Sequence, residues 1–294
     1  MNRKGKPIVA LIYDFDGTLA PGNMQEYSFI NAVGMGKEEF WGETHKMSQG
    51  QDADGILIYM LFMLQEAKKK GLSITRESLR QFGKDIHFFK GVESWFQRIN
   101  KIGLKEGVIV EHYINSSGLL EIMEGSKIAK EFKTIFASSY YYSKKGNAMW
   151  PAAAVNYTNK TQFLFRINKG IYNSYDNTLI NKSVPEDERA VPFSNFIYIG
   201  DGETDVPAMK MVNLYGGTTI AVYNPKSVAT PTRPVSARDN CIKLIKQKRA
   251  DYIGPANYTE NSELDIILKK VIDKIAVEQD LLSIKYKELG IVRS

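Results

Sequence analysis

The chain has 294 residues, 43% hydrophobic and 24% charged, with a formal net charge of +6 and one cysteine, Cys241. That length suits one large domain or a large and a small one, and the balance is ordinary for a soluble globular protein. A lone cysteine excludes an intramolecular disulfide framework and fits a reducing, cytoplasmic setting, and no apolar run approaches the length of a membrane span.

The opening "MNRKGKPIVALIYDFDGTLA" has the basic head and apolar run of a secretory signal. The run is short, lacks a small-residue cleavage site and leads straight into Asp14, so Ile8 to Tyr13 is read as the first core strand. It is rich in β-branched residues without polar alternation, which predicts burial on both faces in a parallel sheet. Ligands in such sheets sit beyond the carboxyl ends of the strands, and there the chain places Asp14, Asp16, Gly17 and Thr18. Asp and Gly are also ordinary turn residues, so this stretch alone reads equally as a turn.

Residues 22–90 change character. "MQEYSFINAVG", "KEEFWGETHKM" and "DADGILIYMLFMLQEAKKKG" carry helical apolar spacing, and "TRESLRQFGKDI" follows an N-cap pattern at Ser73 or Thr75. This predicts a helical insertion whose Met and aromatic residues form core. "GVESWFQRINKIG" then reads as an amphipathic helix. Val108 to Ile114 reads as a second buried strand ending in Asn115-Ser116-Ser117-Gly118, with helical "LLEIMEG" after it. "FKTIFASSYYYS" predicts a strand running into a loop or hairpin through Trp150, and "NKTQFLFRINKG" a helix with Lys160 at its start. Residues 173–192 are polar and Pro-bearing, a surface loop. "NFIYIGDGETDVPAMKMV" repeats the opening pattern of apolar strand, acids, then helix. "GGTTIAVYNP" predicts another strand, "RADYIG" an edge strand, and "SELDIILKKVIDKIAVEQ" a closing helix. Strand and helix alternate after residue 90, so an α/β fold is expected: a Rossmann-like open parallel sheet (residues 1–21 and 91–294) with a smaller helical cap domain (22–90).

Three strand ends thus carry polar groups: Asp14/Asp16, Ser116/Ser117 and Asp201/Asp205. In a parallel sheet they share one edge, and Lys160 reaches it if its helix precedes the Asp201 strand. Carboxylates, a hydroxyl beside glycine and one cation suit a phosphoryl group handled with a hard divalent metal. A carboxylate can attack phosphorus, oxygen-ligated Mg²⁺ and a lysine can offset the meeting of two anions, and a hydroxyl with turn N–H groups can hold the remaining oxygens.

"DFDGTL", Ser116, Lys160 and "GDGETD", in that order, resemble the four motifs of the haloacid dehalogenase-like superfamily, and the helical block resembles the cap that many members insert after the first motif. The resemblance covers the α/β core and is nearest to the phosphoserine phosphatase-like branch. It implies a phosphatase in which Asp14 is the nucleophile that becomes phosphorylated and Asp16 the general acid/base. It further implies Mg²⁺ held by Asp14, Asp201 and the backbone carbonyl of Asp16, with Asp205 a ligand or an outer partner. Ser116, or Ser117 if the register differs, would bind phosphate with Lys160; Lys169 is the rival lysine, better placed to bind helix-end carbonyls. The second Asp of the first motif favours phosphatases and phosphomutases over dehalogenases.

The expected substrate is a small phosphorylated metabolite. Phosphoserine is disfavoured, because Asn23 stands where that branch carries Glu, with Glu26 slightly later, and no Arg falls between Arg3 and Arg76. A phosphomutase or phosphotransferase with the same intermediate is the alternative, as is a phosphatase acting on a phosphoprotein or nucleic-acid end. The basic run Lys243 to Arg249 motivates the last, but without an aromatic platform it reads as a solvated helix face, so neither a nucleic-acid nor a membrane partner is predicted. His45, His87 and His112 lack ligand spacing and are assigned to packing or surface.

Overall fold

The computed structural model describes residues 5–229 and 235–289. Its centre is β1 (Ile8–Tyr13), where Val9 to Tyr13 are all inaccessible to solvent, as a strand without polar alternation requires. Six further strands flank it: β2 (Ile109–Leu119), β3 (Thr134–Tyr142), β4 (Ala148–Ala153), β5 (Phe196–Gly200), β6 (Thr218–Tyr223) and β7 (Tyr252–Pro255). The sheet order is β4-β3-β2-β1-β5-β6-β7, parallel throughout except for the antiparallel β3–β4 pair. The order runs outward in both directions from β1, so the switch point where ligands bind in open α/β sheets lies at its end.

Helices cover both faces. Val9, Leu11 and Tyr13 pack with Trp95 and Phe96 of the helix Val92–Lys105 and with Leu268 and Ile272 of the helix Glu263–Glu288. Ala10 and Ile12 face the opposite way, into a cluster with Phe163, Ala208 and Cys241 from the helices Lys160–Lys169, Val206–Leu214 and Ala237–Lys246. The single cysteine is thus a buried packing residue, and burial pushes its thiol up to about 12.

Four helices, Phe29–Ala32, Lys37–Gln51, Gly55–Lys69 and Arg76–Gly83, lie between β1 and the helix that begins at Val92. The chain leaves the sheet after Leu19 and returns beside it, where the Phe89 N–H donates to the Leu19 carbonyl at 2.9 Å. The Tyr27 hydroxyl donates to Pro21 O and to His87 O, tying the outgoing and returning strands of this excursion together. The helical block docks on the sheet side through several contacts. Arg76–Gly83 lies so close to the short helix Leu120–Glu124 that a Cβ on Gly83 would fall 2.0 Å from Ile122 O, and one on Gly125 would fall 1.9 Å from Arg80 O. Arg80 adds a two-pronged pair with Glu124 Oε2 at 2.7 and 3.0 Å, and Arg76 lies over the Tyr142 ring at 4.2 Å. Asp54 caps Gly55–Lys69 with one carboxylate oxygen and accepts from Asn156 Nδ2 at 2.6 Å with the other.

The structure departs from the sequence reading in three places. β2 continues through Ser116 to Leu119, past the expected end at Ile114, with a register shift between Ser116 and Leu119 against β3. An irregular strand end keeps ladder bonds while re-aiming its side chains. The 173–192 loop contains a helical turn, Asn177–Asn181, because Asp176 accepts from the N–H groups of Thr178 and Leu179. The closing helix runs to Glu288, well beyond Gln279.

Candidate active site

The end of β1 fixes Asp14. Its N–H donates to Ile199 O of β5 at 2.9 Å, holding the side chain over the edge between the two strands, where it is 5% exposed. Lys160 is the first residue of its helix and fully buried, its backbone carbonyl anchored by Asn115 Nδ2 at 3.0 Å. Its Nζ lies 3.1 Å from Asp14 Oδ1 and 2.7 Å from Asp205 Oδ1. The first contact is an ion pair without hydrogen-bond geometry, and the second is a hydrogen bond. Burial alone would lower the Lys160 pKa, but the charges of Asp14 and Asp205 overcome it and raise it. Lys169 does something else: its Nζ donates to the carbonyls of Ile180 and Lys182, tying down the loop beyond its own helix end.

The second acidic cluster follows β5. Asp205 is wholly buried and accepts at Oδ1 from Lys160 and from the Tyr198 hydroxyl, the latter at 2.7 Å, while its Oδ2 has no partner. Tyr198 escaped the sequence reading, since an aromatic inside an apolar strand signals only packing. Asp14, Asp201 and Asp205 each offer an oxygen, and the three atoms lie within 4.8 Å of one another. Gly17, at φ +75°, leaves room for Asp201: a Cβ there would stand 2.2 Å from Asp201 Oδ2. The left-handed backbone and the close approach both require glycine.

An all-oxygen set that includes one buried oxygen without a partner, Asp205 Oδ2, fits a hard divalent cation such as Mg²⁺. Burial and the Asp205 charge, opposed by Lys160, push the Asp14 carboxyl up to about 6. Asp16 rises well above the usual carboxylate range through burial and the Asp14 charge, although its Oδ1 accepts from the Met24 N–H at 2.9 Å. A carboxyl whose pKa is raised in this way suits a proton donor.

Of the remaining predicted residues, Ser116 is buried at the end of β2 and its Oγ accepts from the Gly118 N–H at 3.2 Å. Ser117 presents its carbonyl to the Tyr59 hydroxyl at 2.8 Å and to Ser138 Oγ at 3.1 Å. The helical block reaches the site through Glu26, whose Oε1 accepts from Asn23 Nδ2 at 2.8 Å and Trp41 Nε1 at 2.9 Å. Under the site, a buried chain of donors runs from Trp95 Nε1 to the Tyr13 hydroxyl at 2.8 Å, and Tyr13 meets His112 Nδ1 at 3.0 Å. His112 Nε2 meets Asn100 Oδ1 at 3.0 Å, so the imidazole accepts at one nitrogen and donates at the other. This histidine packs, as expected, and burial lowers its pKa to about 3.

The fold has counterparts. A phosphoserine phosphatase carrying a phospho-aspartyl intermediate analogue superposes with a TM-score of 0.52 at 16% identity, over 90% of this chain and 99% of that one. A Salmonella enterica HAD family hydrolase gives 0.54 at 14% identity, over 91% of this chain and 72% of that one. An uncharacterized protein of Borreliella burgdorferi is 30% identical over 292 residues, covering 90% of this chain and 96% of the relative. No family model matches the chain.

Proposed function

Since this chain belongs to one family with its Borreliella burgdorferi relative and has the haloacid dehalogenase-like fold, we propose that it is a magnesium-dependent phosphatase of small phosphomonoesters. The observation that carries the reading is the buried Lys160 ammonium between Asp14 Oδ1 and Asp205 Oδ1, beside the partnerless Asp205 Oδ2. That arrangement sets a cation against the Asp14 carboxylate in a buried place.

In this reading Asp14 attacks phosphorus as the bond to the leaving oxygen breaks, and Asp16 gives that oxygen its proton. Water then attacks the acyl phosphate, Asp16 takes the water's proton, and inorganic phosphate leaves with the Asp14 carboxylate restored. Mg²⁺, held by Asp14, Asp201 and Asp205 with the Asp16 carbonyl, would offset charge on the phosphoryl oxygens. Lys160 keeps Asp14 oriented and shares that charge, and Ser116 with the turn N–H groups behind it holds the outer oxygens. Asp205, with one oxygen committed to Lys160 and Tyr198, has only the other to offer a cation. The helical block supplies Glu26 and Asn23 at the mouth and excludes bulk water from the acyl phosphate. Among the described residues no helix is long and apolar enough to cross a membrane, and a cytoplasmic setting suits the single buried thiol.

The test is hydrolysis of p-nitrophenyl phosphate with Mg²⁺, with chelator, and by Asp14→Asn. Metal-dependent turnover lost in the variant supports the assignment, and turnover retained by Asp14→Asn overturns it.

A further inference from the structure

The site opens into a cleft of about 1060 Å³, at the top of the range of ~300–1,000 Å³ that takes ligands far larger than a three-carbon phosphate ester. Its lining includes the acids Asp16, Glu26 and Asp201 and the cations Lys243 and Arg249. These two cations belong to the run that sequence alone reads as a solvated face.

Their placement is built into the fold. The helix Ala237–Lys246 packs against β6 with Leu244 directed at the acidic loop, its Cδ1 4.0 Å from where a Cβ on Gly202 would sit. Lys243 is the adjacent residue, so it stands at the rim of the same cavity. Lys248 then takes a left-handed turn at φ +53°, and the Arg249 N–H donates back to Leu244 O at 2.8 Å. This 6→1 closure reverses the chain and brings Arg249 to the cleft wall beside Lys243. Both side chains are exposed, and neither has an acidic partner among the described residues. Tyr157 and Tyr223 also line the cleft.

From this juxtaposition we infer that the substrate is a metabolite with two anionic groups. Its scissile phosphate lies at Asp14, its body runs past Tyr157 and Tyr223, and a remote phosphate or carboxylate is held by Lys243 and Arg249. The inference rests on the phosphatase reading and narrows its substrate class. Unpaired cations in the cavity that also holds the acidic site give a bound molecule a fixed direction, since a second anion is attracted to them and repelled by the acids. A single-headed ester leaves both cations in water and gains nothing from them.

The experiment compares kcat/KM for adenosine 3′,5′-bisphosphate against both adenosine monophosphates, and for fructose 1,6-bisphosphate against fructose 6-phosphate. The expected result is a preference of about tenfold for a bisphosphate over its monophosphates, the scale of two solvent-facing ion pairs, falling toward parity in Lys243→Ala/Arg249→Ala. No preference in either panel, a preference that survives the double substitution, or a stronger preference for a 5′-phosphorylated oligonucleotide with steep salt dependence overturns it. Equilibrium binding of the same bisphosphates to Asp14→Asn, with and without the double substitution, judges the anion site independently of turnover. If the wild type hydrolyses no ester, the phosphatase reading fails, and a tenfold loss of binding on removing the two cations still upholds the second-anion site. Equal binding to both proteins overturns it.

Discussion

Lys160 Nζ stands 2.7 Å from Asp205 Oδ1, and both side chains are completely shielded from solvent. A pair so buried cannot be broken on one side without leaving a charge stranded. Lys160→Met removes the cation while keeping the volume, so it should destabilise the protein by about 3–5 kcal/mol in urea unfolding and cut turnover ~100-fold or more. Adding Asp205→Asn to Lys160→Met should recover part of the stability, since one of the two stranded charges is gone and only that of Asp14 remains; if the two losses simply add, the pairing is not what stabilises the site. Lys169→Met, which loses two carbonyl contacts at the far end of the same helix, should cost only about 1 kcal/mol and leave turnover intact.

Gly17→Ala places a methyl 2.2 Å from Asp201 Oδ2 on a backbone at φ +75°. The expected cost is about 1–3 kcal/mol from the left-handed conformation and the displaced carboxylate. The Mg²⁺ concentration needed for half-maximal activity should rise ~10-fold or more, because a ligand is turned away rather than removed. A titration of activity against Mg²⁺ checks both effects.

Crowding of Asp14, Asp201 and Asp205 should make the native state bind Mg²⁺ in preference to the unfolded chain. At a Mg²⁺ concentration 100 times the Kd the gain is ~2.7 kcal/mol, visible as a raised melting temperature that chelator reverses. In Asp201→Asn the metal-induced rise should shrink, and an unchanged rise would mean that Mg²⁺ binds elsewhere.

His112 takes up its proton at a lower pH in the folded state than in the unfolded one. Folded, it stays neutral down to about 3 through burial; unfolded, it takes a proton below its ordinary value of ~6.5. Between those values the unfolded chain binds more protons, so its contribution is intact above pH ~6.5 and is lost as pH falls, at up to ~1.4 kcal/mol per unit. Urea unfolding at pH 7.5 and pH 5 should therefore differ by about 2 kcal/mol more in the wild type than in His112→Asn. An equal difference in the two proteins would show that His112 is not the group responsible.

Much of this site was legible in the sequence for a local reason. Asp14, Asp16 and Asp201 follow directly on apolar strands, and Lys160 begins a helix, so each position is set by the element it terminates or starts. What escaped was fixed by tertiary packing. Tyr198 sits between Ile197 and Ile199 in a strand buried on both faces, where no pattern separates the residue that packs from the one whose hydroxyl reaches Asp205. The continuation of β2 through Ser116 depends on its pairing with β3, and the docking of Gly83 against Ile122 brings together backbones far apart in the chain. Lys243 and Arg249 looked like a solvated surface because only the turn at Lys248 brings Arg249 back to the cleft.

The strand order has a consequence for how the chain is made. β1 leaves the ribosome long before β5, yet β5 is one of its two neighbours, with Ala10 opposite Phe196. Until that partner arrives, a strand built to be dry on both faces has one edge and part of both faces uncovered. Pairings between such distant segments form slowly because the intervening loop must be closed first. The nascent chain therefore carries Asp14 long before Asp201 and Asp205, and the cluster can form only once the first strand is enclosed.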